Sequence, residues 1–145
     1  MKLYTSYWAQ VRNFPTNLVG LNTTIWPPKW RPLGKDKRGV WVIDCPPLKP
    51  GPACGGLCHG PAECPSHPAS CDFLYTYYQQ LKNIDMNKFY NNLKRLNEEI
   101  SKNEEISDIN FALIVYESPT NKCSERWPLQ VWLRENNIEV KEWNK

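Results

Sequence analysis

The spacing of hydrophobic and polar positions changes along this chain, and each change marks a different kind of element. Lys2 to Tyr7, Asn17 to Ile25 and Gly39 to Ile43 are short runs rich in aromatic and β-branched residues, as expected of strands. From Phe73 the spacing lengthens. Phe73, Leu74, Tyr77, Tyr78 and Leu81 recur at helical intervals, and Phe89, Tyr90, Leu93, Leu96 and Ile100 repeat the pattern. Asp72 and Asp85 are the expected helix starts, because a short side-chain oxygen accepts from amides that a helix leaves unpaired. Ile109 to Tyr116 is a continuous apolar run, the pattern of a strand covered on both faces. Leu129 to Asn136 is helical again, and Ile138 to Trp143 alternates like a final edge strand.

Strands interspersed with helices predict an α/β fold over residues 1–145 as a single domain. The expected form is a compact Rossmann-like, mostly parallel sheet with helices on both faces. In such sheets the binding crevice lies outside the carboxyl ends of the strands. Three loops are expected to reach it: Thr5 to Arg12, Trp26 to Arg31, and Glu117 to Arg126.

Residues 44–72 break the pattern and read as an inserted loop. Prolines and glycines exclude a helix or a central strand there, yet the segment holds Cys45, Cys54, Cys58, Cys64 and Cys71, with His59 and His67. Cys54, Cys58, Cys64 and Cys71 could close a tetrahedral zinc site, with Cys45 as a fifth donor and either histidine as a substitute. An iron–sulfur cluster fits the same donors. Zinc ranks first, because the loop is short, polar and exposed. The expectation is a metal-stapled loop. Free cysteines or disulfides are the alternative.

Composition sharpens these expectations only in part. A chain of 145 residues makes one full core, and a net charge of +3 neither requires nor excludes nucleic acid. The longest apolar run is far too short to span a membrane, and the first residues lack the apolar stretch of a secretory signal. A reducing cytoplasm is therefore the expected setting, where clustered cysteines read as metal ligands.

The loop after the apolar strand carries the densest chemistry outside the cysteine cluster. Pro128 fits only near a helix start, which places that start at Ser124 to Trp127 with Cys123 just before it. A helix N-terminus, Lys122 and Arg126 all favour a thiolate at Cys123, and Arg126 offers a fork for a phosphate or carboxylate. Glu117 could hold a ribose hydroxyl or act as a base; equally, it could pair with Arg126. No histidine lies nearby to activate Cys123.

Trp26 and Trp30 sit among Pro27, Pro28 and Pro32, with Lys29, Arg31, Lys35, Lys37 and Arg38 close by. Stiffly held indoles beside cations make a stacking surface for a base next to a phosphate. In the first strand Thr5, Ser6 and Tyr7 offer hydroxyls, alternate ones facing the same side.

Tyr4-Thr5-Ser6-Tyr7, Pro46-Pro47-Leu48, and Tyr116-Glu117 followed by Cys123 and Arg126 together resemble the domain of unknown function 488 family. The resemblance runs through nearly the whole chain in order. It implies a Rossmann-like domain with a pocket, of a kind frequent in bacteria and phages, and hence a bacterial or phage-infected cell. Two features depart from the pattern. The family's histidine after the cysteine is Ser124 here, with Arg126 one residue further along, and the cysteine-rich loop is an elaboration.

These readings converge on a crevice that binds a small anionic ligand, a nucleotide or nucleotide derivative, by capture or by chemistry on it. Cys123 and Glu117 are the candidate reactive groups. Arg126, Ser124, Thr5, Ser6, Tyr7, Trp26 and Trp30 are the candidate ligand contacts. The alternative is a zinc-stabilised module that meets nucleic acid or a protein through its tryptophans. No membrane partner is expected.

Overall fold

The computed structural model describes residues 1–58, 65 and 67–145. Six strands form one sheet: β1 (Leu3–Tyr7), β2 (Leu18–Asn22), β3 (Gly34–Lys35), β4 (Trp41–Asp44), β5 (Asn110–Val115) and β6 (Val140–Glu142). Their order is β3-β4-β2-β5-β1-β6, and only β3 runs antiparallel to its neighbour. Apolar β5 lies between β2 and β1, with Leu21 and Thr5 both level with Leu113. Its Phe111 to Val115 stretch is almost fully buried, as its unbroken apolar run predicts.

Helix starts fall at Asp72 and Asp85, but only Asp85 caps: Asp72 is the first helical residue, preceded by Cys71, whose side chain caps nothing. Helix α1 spans Asp72–Lys82. Helix α2 spans Met86–Glu104, and the Asp85 side chain accepts from the Lys88 amide at 3.2 Å. Helix α3 spans Arg126–Glu135, with Pro128 in its first turn.

The expectation of helices on both faces is corrected. One face carries Leu3, Val19, Leu21, Phe111, Leu113 and Val115, and these pack with Tyr77 and Leu81 of α1, Phe89 and Leu93 of α2, and Leu129 and Trp132 of α3. On the other face Leu18, Val42, Ala112 and Ile114 are covered by Trp8, Val11 and Phe14 from a 3-10 helix (Trp8–Asn13) and its exit. The connections explain this. From β4 to β5 and from β5 to β6 the chain moves the same way along the sheet, so right-handed crossovers put all three α-helices on one side. The β1-to-β2 and β2-to-β4 connections move the opposite way and hold no α-helix.

That reversal has a consequence for function. At the carboxyl ends of the adjacent strands β2 and β5 the chain leaves in opposite directions, which makes the switch point where open α/β sheets bind ligands. No helix among the described residues is long and apolar enough to cross a membrane.

Candidate site at the carboxyl edge of the sheet

Two polar clusters flank the switch point, and both are satisfied internally. Beyond β2, the Asn22 amide donates to Asp44 at 2.9 Å and to the Thr24 carbonyl at 3.1 Å, while Lys49 pairs with Asp44 at 2.9 Å. Burial alone would push Asp44 up, but hydrogen bonds from Lys49 and Asn22 hold it below the ordinary carboxylate range. Thr23 closes the inner end, its hydroxyl donating to the Ile114 carbonyl at 2.8 Å.

The second cluster joins β1, β6 and α3. Arg126 donates through Nε to Glu142 Oε1 at 2.6 Å and through Nη2 to Oε2 at 3.2 Å, and Nη2 also reaches the Glu117 carbonyl at 2.7 Å. The Thr5 hydroxyl donates to Glu142 at 2.7 Å and accepts from Gln130 at 2.7 Å. Ser124 Oγ accepts from the Arg126 amide at 3.2 Å. The Arg126 guanidinium also lies over the Tyr7 ring at 5.7 Å.

This geometry reassigns several residues expected to touch a ligand. Thr5, Ser6, Ser124 and Arg126 are all buried. The Ser6 hydroxyl donates to the Trp143 carbonyl at 2.9 Å. The Arg126 fork is closed by Glu142 rather than presented to an anion. Glu142 is three residues from the end of the sequence in a short edge strand, where no spacing rule connects it to Arg126. Tyr7 is half-buried, whereas Trp26 and Trp30 stand fully on the surface.

Glu117 differs from all of these. It follows the end of β5 at the switch point, and its carboxyl Oε1 is buried without a hydrogen-bond partner among the described residues. A buried carboxylate oxygen with no donor is costly and points to a missing partner. Glu125, which precedes α3, shares this environment. Burial first and the Glu117 carboxylate second push it up to about 7, against the opposing charge of Arg126. Two coupled carboxyls, one titrating near neutrality, can accept a ligand hydroxyl and exchange a proton with it. The capping rules of sequence reading single out Asp and Ser before a helix. Glu125 has helical backbone angles and caps nothing with its side chain, so it gave no such signal.

The cysteines do not form the expected cluster in the described part of the chain. Cys45 and Cys54 are packed into the core with Leu48, Tyr77 and Leu81. Burial pushes the Cys45 thiol up to about 12, and burial followed by the Glu125 charge raises Cys54. The Cys54 thiol lies 3.9 Å from the Gln80 side-chain oxygen. Cys58 is exposed, and Cys71 is half-buried at the start of α1. Among the described residues no group of three or more His, Cys, Asp or Glu side chains could hold a metal. Cys64 and His59 lie outside the described residues. Cys123 is disulfide-bonded, so in this state its sulfur is not a thiolate nucleophile.

A cavity of about 350 Å³ opens elsewhere, beside the amino ends of β1 and β6, lined by Lys2, Tyr4, Tyr90 and Ile138 among others. None of the residues lining it carries a buried, unpaired side-chain polar atom. Volume alone favours that cavity. Three buried side-chain polar atoms lack a partner among the described residues, Arg31 Nε, Trp41 Nε1 and Glu117 Oε1, and of these only the Glu117 oxygen is an acceptor. Compared with known protein families, curated proteins and solved structures, the chain matches none.

Proposed function

We propose that this protein binds a small ligand of the nucleotide class at the switch point between β2 and β5, with Glu117 as the acceptor for a sugar-type hydroxyl. The observation that carries this reading is the buried, unpartnered Oε1 of Glu117. Hydroxyl donors of a ribose would satisfy that oxygen, and Glu125 beside it would supply or take up a proton near neutral pH. Because Glu142 occupies the Arg126 fork, Arg126 is not free to hold the ligand's anionic end.

Both capture and turnover are compatible with these groups. A nucleoside monophosphate incubated with the protein and then recovered separates them. An unchanged recovered mass means capture, and a changed one means chemistry. A thermal-shift series with nucleoside monophosphates and the matching nucleosides tests the reading itself. Stabilisation by the monophosphates is expected. A series in which no member stabilises the fold would overturn it.

A further inference from the structure

A second candidate surface lies on the connection from β2 to β4. Trp26 is 78% exposed and Trp30 64%, with Ile25 and Leu33 exposed beside them. Exposed tryptophans on a mobile loop would mean little, but this loop is firmly held. Pro27, Pro28 and Pro32 fix its backbone angles. A turn closed by the Arg31 amide on the Pro28 carbonyl at 3.1 Å carries Lys29 and Trp30 at its tip. The buried Arg31 side chain staples the remainder, donating to the carbonyls of Pro32, Gly34 and Val40. The indoles are thus displayed with little conformational entropy left to lose on binding.

Charge says what kind of partner fits. Between Ile25 and Trp41 the chain has five basic residues, Lys29, Arg31, Lys35, Lys37 and Arg38, against one acid, Asp36. The net charge of the whole chain is only +3, so the rest of the protein is slightly negative. The positive charge is therefore concentrated on the segment that exposes the tryptophans. Lys35 is engaged by Glu104 at 3.1 Å, and Arg38 by Asp36 and the Val11 and Phe14 carbonyls. Lys29 and Lys37 are exposed and make no ion pair among the described residues.

We infer that this segment is a binding surface for single-stranded nucleic acid. Trp26 and Trp30 stack on unpaired bases while Lys29 and Lys37 meet the phosphates. Unpaired bases offer π-faces to the indoles, and the basic segment follows the backbone. A duplex hides those faces, and an acidic peptide uses the charges but not the rings.

The test is titration of the full chain with an oligodeoxythymidylate of about 20 nucleotides, read by quenching of tryptophan fluorescence. Fluorescence anisotropy of a labelled oligonucleotide provides an independent signal. Replacing both exposed tryptophans (Trp26→Ala with Trp30→Ala) should weaken binding roughly tenfold or more, with the circular dichroism spectrum unchanged. Lys29→Ala with Lys37→Ala should weaken binding uniformly and flatten its salt dependence by about one to two counterions. Any of these results would overturn the inference: no binding at low salt, tighter binding to duplex of the same length, or equal competition by polyglutamate. Unchanged affinity in the double tryptophan variant would do so as well. Neither variant touches Glu117, so failure here leaves the switch-point site standing.

Discussion

Arg126 and Glu142 form a two-pronged ion pair, Nε to Oε1 at 2.6 Å and Nη2 to Oε2 at 3.2 Å, that ties the start of α3 to the last strand. The side chains are 9% and 18% exposed, so the pair is largely desolvated. Such a fork orients both partners, and the side-chain bonds of Thr5 and Gln130 together with the Glu117 backbone carbonyl extend it.

Removing one partner leaves the other charge stranded. Glu142→Ala is expected to cost roughly 3 kcal/mol of stability, measured by urea denaturation, because the Arg126 guanidinium stays buried. Arg126→Ala should cost a similar amount. A loss well below about 1 kcal/mol in both would mean that the pair is no more than a surface contact.

Glu125 makes stability depend on pH in an unusual direction. Its folded value of about 7 lies above its ordinary value of 4.5. The folded state therefore holds the proton more tightly than the unfolded chain does. Its contribution is most favourable below the lower value, declines as pH rises between the two, and levels off above the higher one. The penalty at alkaline pH is on the order of 3 kcal/mol. Glu125→Gln should accordingly be more stable than the parent at about pH 8, with the gap closing below about pH 5. Thermal melts across that range check it, and a gap that does not change with pH would remove the buried carboxyl from the account.

Gly20 in β2 has no room for a side chain. A Cβ there would lie 2.5 Å from Ile114 Cδ1 and 3.1 Å from Val42 Cγ2. Ile114 and Val42 are fully buried, so neither yields cheaply. Gly20→Ala is expected to destabilise the protein by about 1–3 kcal/mol through overpacking. A melting temperature equal to the parent's would show that this face of the sheet can relax.

Much of the fold was legible because its signals are local. The unbroken apolar run of β5, Asp72 in the first turn of α1, Asp85 before α2, and Pro128 in the first turn of α3 each act within a few residues. Strand β3 was not legible, since Gly34 and Lys35 carry no alternation; they pair with β4 across a turn closed by Asp36 and Val40, with Arg31 holding the Gly34 carbonyl. The one-sided helices depend on strand order, which no local pattern encodes.

The site was less legible still. Glu117 could be singled out from its position after a buried strand. That Arg126 is claimed by Glu142, and Thr5 by Gln130, requires chain segments brought together by the sheet. Hydroxyls in a first strand and an arginine at a helix start look the same in sequence whether they face a ligand or a neighbour. The cysteines are a further case: nothing in the spacing of Cys45 and Cys54 says that both pack into the core beside Leu48 and Tyr77.

The central claim is that Glu117 receives a ligand hydroxyl at the switch point. Its most direct test is isothermal titration of the parent and Glu117→Gln with the same nucleoside monophosphate. Saturable binding to the parent is expected, with affinity falling roughly tenfold or more in the variant as a charge-assisted hydrogen bond is lost. No heat of binding with the parent, or equal affinity in both proteins, would contradict it.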